Sequence, residues 1–199
     1  MRDLVSTPFK VLYLIGSLYY GGAQTQLIEL ATHLDNQRFR PTVGVLRSNH
    51  QGSGLLQQRG IPVIHFRRRM KYDPTAVFRI ARFLRSHRIS VLHSWMFSAG
   101  AIGQLAAFIA RTPIVVHTER LVPLQYSESG SKPGRSLRDR LINGLIKARA
   151  DAIVANSDSL GRYLELVEGY DKAKIRVIHN GLNLNRVTPG PEARDGVRR

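Results

Sequence analysis

The chain has 199 residues, of which 43% are hydrophobic and 22% charged, and this composition excludes a disordered segment and is typical of one globular domain. It contains no cysteine, which excludes disulfides and thiolate metal sites. The 30 Lys and Arg against 14 Asp and Glu give a net charge of +16. Such a charge favours polyanionic partners: nucleic acid, anionic lipid or phosphorylated ligands.

Strand and helix patterns alternate along the chain. The expected strands, in chain order, are Phe9–Ile15, Thr42–Leu46, Pro62–Phe66, Ile89–His93, Ile114–Thr118, Ala152–Ala155 and Ile175–Ile178. The expected helices cover residues 23–34, 52–59, a stretch that begins at Asp73-Pro74, residues 98–110, residues 135–150, and a stretch from Ser157 to about 167. The alternation predicts an α/β fold: a single doubly wound Rossmann-like domain with a mainly parallel sheet of about seven strands.

Three of these helices show an apolar face in the sequence. In the helix that begins at Asp73-Pro74 that face is Val77, Ile80, Ala81 and Leu84. In the first helix the residues that share a face are Leu27, Leu30, Ala31 and Leu34. In the helix over 135–150 the leucines that lie together are Leu137, Leu141 and Leu145, away from Arg140 and Lys147. We expect these faces to pack on the sheet.

Three segments lie outside the alternating pattern. Residues 1–8 form an N-terminal extension to a domain over 9–187, and residues 188–199 form a polar tail. Glu119–Gly134 has no periodicity and is expected to be a long loop of the kind that is usually functional or disordered. The run Val11–Leu18 resembles a signal-peptide core, but its interruption and its place favour a buried first strand.

Gly21-Gly22 stands between the first strand and the first helix, at the carboxyl edge where open α/β sheets bind ligands. Two glycines allow the backbone to approach a phosphate, and the next helix directs free N–H groups at it. The alternative is an ordinary tight turn, because no G-x-G-x-x-G fingerprint is present.

Polar and aromatic residues follow the fourth and fifth strands. His93, Trp95 and Met96 end the fourth strand, where the indole is either core or a platform for a sugar. Glu119 and Arg120 follow the fifth strand, where they suit acid–base work or phosphate binding, or a surface ion pair with each other. The scattered histidines predict no metal site.

Three basic groups account for much of the charge. They are Arg67-Arg68-Arg69 with Lys71, then Arg79, Arg82 and Arg85, then Arg135, Arg138 and Arg140. Each group is either a solvated face or a contact to an anionic surface. Aromatic residues are not interleaved with them, so no specific nucleic acid is expected as a partner.

At this point the motifs resemble those of glycosyltransferase family 4, in particular its N-terminal, acceptor-side domain. The matching segments, in order, are Gly21-Gly22-Ala23-Gln24, Val91–Phe97, Pro113–Arg120, Ala150–Ser157 (A-D-A-I-V-A-N-S) and Ile175–Gly181 (I-R-V-I-H-N-G). The resemblance runs from about Lys10 to Leu184. It implies a two-domain enzyme of the retaining B fold that transfers a hexosyl group from a nucleotide sugar, without a metal or another cofactor.

The resemblance implies roles for particular residues. Gly21, Gly22 and Ala23 would approach the donor phosphates or sugar, and His93, Trp95, Glu119 and Arg120 would meet the acceptor, a glycan that is lipid-linked or part of a polysaccharide. Many members have histidine in a T-x-H pattern after the fifth strand, whereas Thr118-Glu119-Arg120 has arginine there. Arg120 is therefore the candidate catalytic residue. His117 should point to the opposite face of the strand.

In the family the N-G turn leads into a second domain that binds the donor, so residues 188–199 would be the truncated start of that domain. We expect the chain to be inactive without a C-terminal half, which another chain could supply. We also expect a cytoplasmic protein that is peripheral at the inner face of the membrane. The alternative is a non-enzymatic, basic Rossmann-like module that binds anionic lipid or a partner subunit.

Overall fold

The computed structural model describes residues 7–47, 52–70, 73–121 and 137–182, without the side chains of residues 138 and 139. Within these residues, seven parallel strands form one sheet in the order β3-β2-β1-β4-β5-β6-β7. The strands are β1 Phe9–Ile15, β2 Phe39–Val45, β3 Val63–His65, β4 Val91–Trp95, β5 Ile114–Glu119, β6 Ala152–Ala155 and β7 Ile175–Val177. The predicted doubly wound α/β fold is confirmed.

Six α-helices connect the strands in the described ranges. They are α1 Gly22–His33, α2 Ser53–Gln58, α3 Pro74–Ser86, α4 Met96–Ala110, α5 Leu137–Arg149 and α6 Asp158–Leu166. A single 3₁₀ turn, Lys172–Lys174, precedes β7. None of the helices in the described ranges is long and apolar enough to cross a membrane.

The helices divide between the two faces of the sheet. Side chains alternate along β1, so Leu12 and Leu14 pack with α3 and α4, whereas Val11, Tyr13 and Ile15 pack with α1 and α2. A third group of buried residues joins α5 and α6 to Ile153 of β6. We call the side covered by α3 to α6 the front face and the side covered by α1 and α2 the back face.

Two helix faces differ from the sequence prediction. In α1 Leu27 and Ala31 are buried, but Leu30 is exposed, because α1 covers only part of the back face. In α5 Leu137 and Leu141 are also exposed, and the helix instead buries Asn143 and Ile146, followed by the buried Ala150 just after its end. The leucine pattern was misleading there because α5 packs on α4, and its buried Asn143 bonds to residues that follow α6.

Some strand ends also differ from the prediction. The fourth strand was expected over Ile89–His93, but β4 covers Val91–Trp95 and pairs with β5 as far as Trp95↔Thr118. Helix α4 then begins at once with Met96, two residues before the predicted start at Ser98. The predicted loop over Glu119–Gly134 lies mostly outside the described residues, as do the polar tail and residues 1–6 of the N-terminal extension.

Helix starts differ in their capping. The Asp73 carboxylate accepts the backbone N–H groups of Thr75 and Ala76 at the start of α3, and the Ser157 hydroxyl accepts that of Leu160 in α6. The Asp73 carboxylate accepts several hydrogen bonds, first of all one from the Arg69 backbone N–H, and these lower the pKa of Asp73 to about 2. Helices α1 and α4 have no side-chain cap. Both of these uncapped starts lie at the carboxyl edge of the sheet.

Candidate functional site

Two cavities open at the carboxyl end of the sheet, one on each face. The edge cavity has a volume of about 540 Å³ and reaches from the ends of β1 and β2, past the start of α4, to α5 and α6. The back cavity has a volume of about 730 Å³ and lies between α1, the ends of β4 and β5, and residues 178–182. Both volumes are in the range of small-molecule sites.

A buried polar network forms the α5–α6 wall of the edge cavity. Glu168 accepts hydrogen bonds from Asn143 Nδ2 at 2.7 Å and from the Tyr163 hydroxyl at 2.6 Å. The Tyr170 hydroxyl donates in turn to Asn143 Oδ1 at 2.6 Å. Asn143, Tyr163 and Tyr170 are all at most 6% exposed. The wall is therefore rigid, and its carboxylate is oriented before any ligand arrives.

Glu119 enters the edge cavity from the end of β5, and His117 lies behind it. The Nε2 atom of His117 lies 3.4 Å from the Glu119 carboxylate, and its Nδ1 atom lies 3.0 Å from the Ser94 hydroxyl. His117 and Ser94 are completely buried. The Ser94 hydroxyl also donates to the Val116 carbonyl at 3.4 Å.

The space for His117 comes from a glycine of α4. A Cβ atom at Gly100 would lie 2.6 Å from Cε1 and 2.9 Å from Nδ1 of the imidazole. Both distances are shorter than a nonbonded contact allows, so Gly100 permits the close approach of helix and ring.

The β4–α4 junction is strained where it borders the edge cavity. Met96 has φ of +66°, although it is not glycine, and such backbone costs about 1–3 kcal/mol. Met96, Phe97 and Ser98 all line the cavity, so the uncapped start of α4 opens into it. Strain of this kind concentrates at binding sites.

The back cavity contains a histidine that stays neutral. His93 is half-buried, and its Nε2 atom lies 2.7 Å from the Thr118 hydroxyl. Burial, and secondly the neighbouring His117, lower the pKa of His93 to about 3. His93 is therefore a neutral hydrogen-bonding group at pH 7 and not a source of positive charge.

Trp95 and Arg120 pack together beside this histidine. The indole of Trp95 is 4% exposed, so it belongs to the core, with the Arg120 guanidinium 5.4 Å from its ring centre. Burial lowers the pKa of Arg120, and its Nη2 atom donates to Asn180 Oδ1. The indole Nε1 of Trp95 has no hydrogen-bond acceptor among the described residues.

Gln26 fixes the segment that follows β7. Its side-chain amide donates to the Gly181 carbonyl at 2.6 Å and accepts the Gly181 N–H at 2.9 Å. This pair of bonds and the Arg120–Asn180 bond tie residues 180 and 181 to α1 and β5. The Asn-Gly turn thus forms the outer wall of the back cavity.

The structure separates residues that the sequence placed in one group. His93, Trp95 and Arg120 meet in the back cavity, whereas Glu119 points to the front face and lines the edge cavity. Glu119 therefore lies beside His117, which disfavours the alternative of a surface ion pair between Glu119 and Arg120. His117 lies on the face opposite Arg120, as alternation along β5 predicts.

The glycine turn lies next to the edge cavity. Gly21 and Gly22 precede Ala23 and Gln24, and Gln24 lines the cavity. A Cβ atom on Gly22 would meet no other atom within 4 Å, so this backbone faces open space. At Gly21 the nearest atom is the flexible end of Gln24, at 2.7 Å.

Several residues of the two cavities were absent from the prediction. Gln26 and Asn180 in the back cavity, and Asn143, Tyr163, Glu168 and Tyr170 in the edge cavity, come together only by tertiary packing. Asn180 could have been found from the N-G motif, which marks a turn at the end of a strand. The network residues carry no comparable sequence signal.

Two of the three arginines on α3, Arg79 and Arg85, have a structural role. Arg79 donates to the carbonyls of Phe66 and Arg67, and Arg85 donates to that of Ile109. Arg82 remains exposed. In the described ranges no group of three or more His, Asp or Glu side chains is close enough to hold a metal ion.

Comparison with known proteins identifies the family. The family model of glycosyltransferase family 4 matches residues 20–186. The search of curated proteins finds no significant match.

Many solved structures share the fold. Anabaena HepE in complex with UDP and glucose is 24% identical, with a TM-score of 0.74, and the match covers 96% of this chain and 49% of that one. Sucrose-phosphate synthase from Thermosynechococcus elongatus is 15% identical, with a TM-score of 0.70 over 96% of this chain and 53% of that one. A glycosyltransferase from Rickettsia africae is 16% identical, with a TM-score of 0.65 over 96% and 48%.

This chain thus spans about half the length of the solved structures that it matches. The family model, in contrast, covers most of the chain, from the glycine turn to a point beyond the Asn-Gly turn. The protein therefore belongs to glycosyltransferase family 4.

Proposed function

We propose that this chain is the acceptor-binding half of a retaining glycosyltransferase, which moves a sugar from a nucleotide-sugar donor to a glycan acceptor. The family supports the reaction class. HepE, one of the similar structures, was solved with UDP and glucose, which is in keeping with a nucleotide-sugar donor. No cofactor and no metal are part of the proposal.

The observation that carries the acceptor role is the polar wall of the edge cavity. Glu168 and Glu119 present carboxylates that are held by buried partners, and Phe97 and Leu164 line the same space. Sugars offer hydroxyl donors on their edges and C–H groups on their faces. Preoriented carboxylates beside apolar side chains suit both.

The donor would approach from the side of the glycine turn. Gly21, Gly22 and Ala23 begin α1 next to the edge cavity, and the open space at Gly22 leaves room for a phosphate or the transferred sugar. Glu119 would bind the acceptor. His93, Trp95 and Arg120, in the back cavity, would act as acceptor-side residues only if the acceptor reaches the back face.

Arg120 remains the candidate catalytic residue in this proposal, provided that the donor phosphate reaches the back cavity. Its guanidinium is partly desolvated and fixed between Trp95 and Asn180, so its position is well defined. A fixed positive charge of this kind can stabilise charge that develops on a leaving phosphate. Arg120→Lys should keep the charge and lose the fixed geometry, and a large loss of turnover in a two-domain protein would support the role.

We expect the chain alone to transfer no sugar. Orientation of donor and acceptor in a cleft between two domains contributes roughly 7–11 kcal/mol to such a reaction, and one wall cannot supply it. The test is to incubate the purified chain with nucleotide sugars and glycan or lipid acceptors, with and without a donor-binding C-terminal half, and to follow free nucleotide diphosphate. Turnover by the chain alone would contradict this part of the proposal.

The net charge of +16 favours a second candidate function, a basic module that binds an anionic membrane surface. We propose a cytoplasmic protein that is peripheral at the membrane in either case. The two functions separate in the assay above. A chain that binds anionic liposomes but never supports sugar transfer with any donor half would be the binding module.

A further inference from the structure

We propose that the edge cavity binds a saccharide that carries a phosphate group. The phosphate would lie at the end of the cavity formed by Arg47 and Arg68, and the sugar hydroxyls would lie at the end formed by Glu119 and Glu168. This inference rests on the proposed acceptor role and narrows it to a phosphorylated class of acceptor.

The positive end of the cavity is built from the ends of two neighbouring strands. The backbone N–H of Arg47 donates to Gly16 at 2.9 Å, and that of Arg68 donates to Leu46 at 2.6 Å. The hydrogen-bonded pattern of the sheet thus continues beyond β1, β2 and β3. As a result, both arginines lie at the same edge of the sheet and line the same cavity.

The charges of the cavity are separated along the sheet. Its two lining carboxylates, Glu119 and Glu168, belong to the side of β5, α5 and α6, whereas the arginines follow β2 and β3. In the strand order, β1 and β4 lie between β2 and β5. Three strand intervals of about 4.8 Å place the two ends roughly 14 Å apart at the backbone.

Helix starts add positive potential between the two ends of the cavity. Ser98 and its neighbours at the start of α4 line the cavity, and so does Gln24 in the first turn of α1. Neither helix has a side-chain cap or an acidic residue in its first turn, whereas α3 and α6 are capped by Asp73 and Ser157. Free N–H groups here favour an anion, in addition to the two arginines.

The other end of the cavity suits hydroxyl groups and not a second anion. Glu168 accepts hydrogen bonds from Asn143 and Tyr163, and Glu119 lies beside His117. Two fixed carboxylates would repel a second phosphate but would accept sugar hydroxyls. The ligand that matches this separation has one anionic end and one polyol end.

The experiment is a titration of the 199-residue chain followed by protein NMR, which detects millimolar binding. The probes are glucose and N-acetylglucosamine, their 1-phosphates and 6-phosphates, inorganic phosphate, and UDP. We expect at least one sugar phosphate to bind about tenfold more tightly than both its parent sugar and inorganic phosphate. Preference for a 6-phosphate would indicate a free sugar phosphate, and preference for a 1-phosphate would indicate a sugar linked through phosphate, as in lipid-linked acceptors. Both results support the proposal.

Variants locate the two ends of the ligand. Arg47→Gln and Arg68→Gln should each weaken sugar-phosphate binding about tenfold and leave binding of the parent sugar unchanged. Glu119→Gln should weaken binding of the sugar and of its phosphate alike. Arg82→Gln, on the exposed face of α3, removes the same charge elsewhere and is the matched control. Thermal unfolding of each variant checks that it is folded.

The possible failures are distinct. If the parent sugars bind as tightly as their phosphates and the arginine variants have no effect, the phosphate inference is wrong and the acceptor role stands. If UDP binds best and depends on Arg47 and Arg68, the positive end belongs to the donor and the inference is also wrong. If no saccharide of any kind binds, the acceptor role itself fails.

Discussion

Replacing Gly100 by alanine tests whether the close approach of α4 to His117 depends on the missing side chain at this position. The added methyl would lie 2.6 Å from the imidazole Cε1, 2.9 Å from Nδ1 and 3.1 Å from Ile146 Cδ1. His117 is completely buried and sits between Ser94 and Glu119, so it has little freedom to move away. The methyl must therefore displace the helix or the ring.

The expected cost follows from two opposing effects. Overpacking of a well-packed interior costs typically 1–3 kcal/mol. Alanine in place of glycine within a helix contributes about 1 kcal/mol in the opposite direction. We therefore expect Gly100→Ala to lower the free energy of unfolding by up to about 2 kcal/mol, and to alter the position of Glu119 through its contact with His117.

Gly144 in α5 offers a matched control. It is also a helix-interior glycine, but a Cβ atom there would meet no other atom within 4 Å. Gly144→Ala should therefore raise the free energy of unfolding by about 0.5–1 kcal/mol. Urea unfolding followed by circular dichroism measures both variants under the same conditions, and the two changes should have opposite signs.

A double variant identifies the contact responsible. In a His117→Ala background the ring is absent, so Gly100→Ala should cost at least about 1 kcal/mol less than in the original chain. If Gly100→Ala instead stabilises the protein as much as Gly144→Ala does, the close approach of α4 and His117 is not as described, and the reasoning about Glu119 fails with it.

Three further predictions concern the glycine turn, the buried histidine and the surface charge. Gly22→Val should leave the chain folded, because the valine side chain enters open space. When the chain is joined to a C-terminal half, the variant should no longer bind a nucleotide sugar or a phospho-acceptor. Unchanged binding would remove Gly22 from the site. The pKa of His93 is lowered to about 3 in the fold, whereas an unfolded histidine titrates near 6.5. As the pH decreases, the unfolded state therefore takes up the proton first. The free energy of unfolding should fall as the pH decreases from about 6.5 towards 3. His93→Gln should flatten this dependence in urea unfolding at pH 7 and pH 5, and an unchanged slope would show that His93 is protonated in the fold. Finally, the chain should sediment with anionic liposomes at low salt and leave them at high salt, since each basic residue near the surface contributes about 1 kcal/mol that salt screens; equal recovery with neutral liposomes would contradict membrane binding.

The strand and helix order could be predicted because it depends on local pattern. Buried parallel strands are continuous apolar runs, and Asp73-Pro74 and Ser157 are helix starts whose caps are visible in the sequence. The end of β4 was less predictable. Ser94 and Trp95 continue the strand because they pair with His117 and Thr118 of β5, and that partner is not visible locally.

The composition of the site was predictable only in part. Alternation along β5 gives the face of His117, and the same rule separates Glu119 from Arg120, although the sequence analysis grouped those two residues. Asn143 and Tyr163 come from two different helices, and their partner Glu168 follows the second of them. No spacing in the sequence relates these residues, and the exposed leucines of α5 suggested a different buried face.

The position of β1 in the sheet has a consequence for how the chain folds during synthesis. β1 is bonded on one side to β2, where Phe9 pairs with Phe39, and on the other side to β4, where Val11 pairs with Val91. That second edge stays open until roughly 80 more residues have left the ribosome, and pairing over such a separation is slow. An apolar strand with an unpaired edge can associate with other chains while it waits. Slow translation or low temperature should therefore lower the yield of folded protein while changing its final stability little.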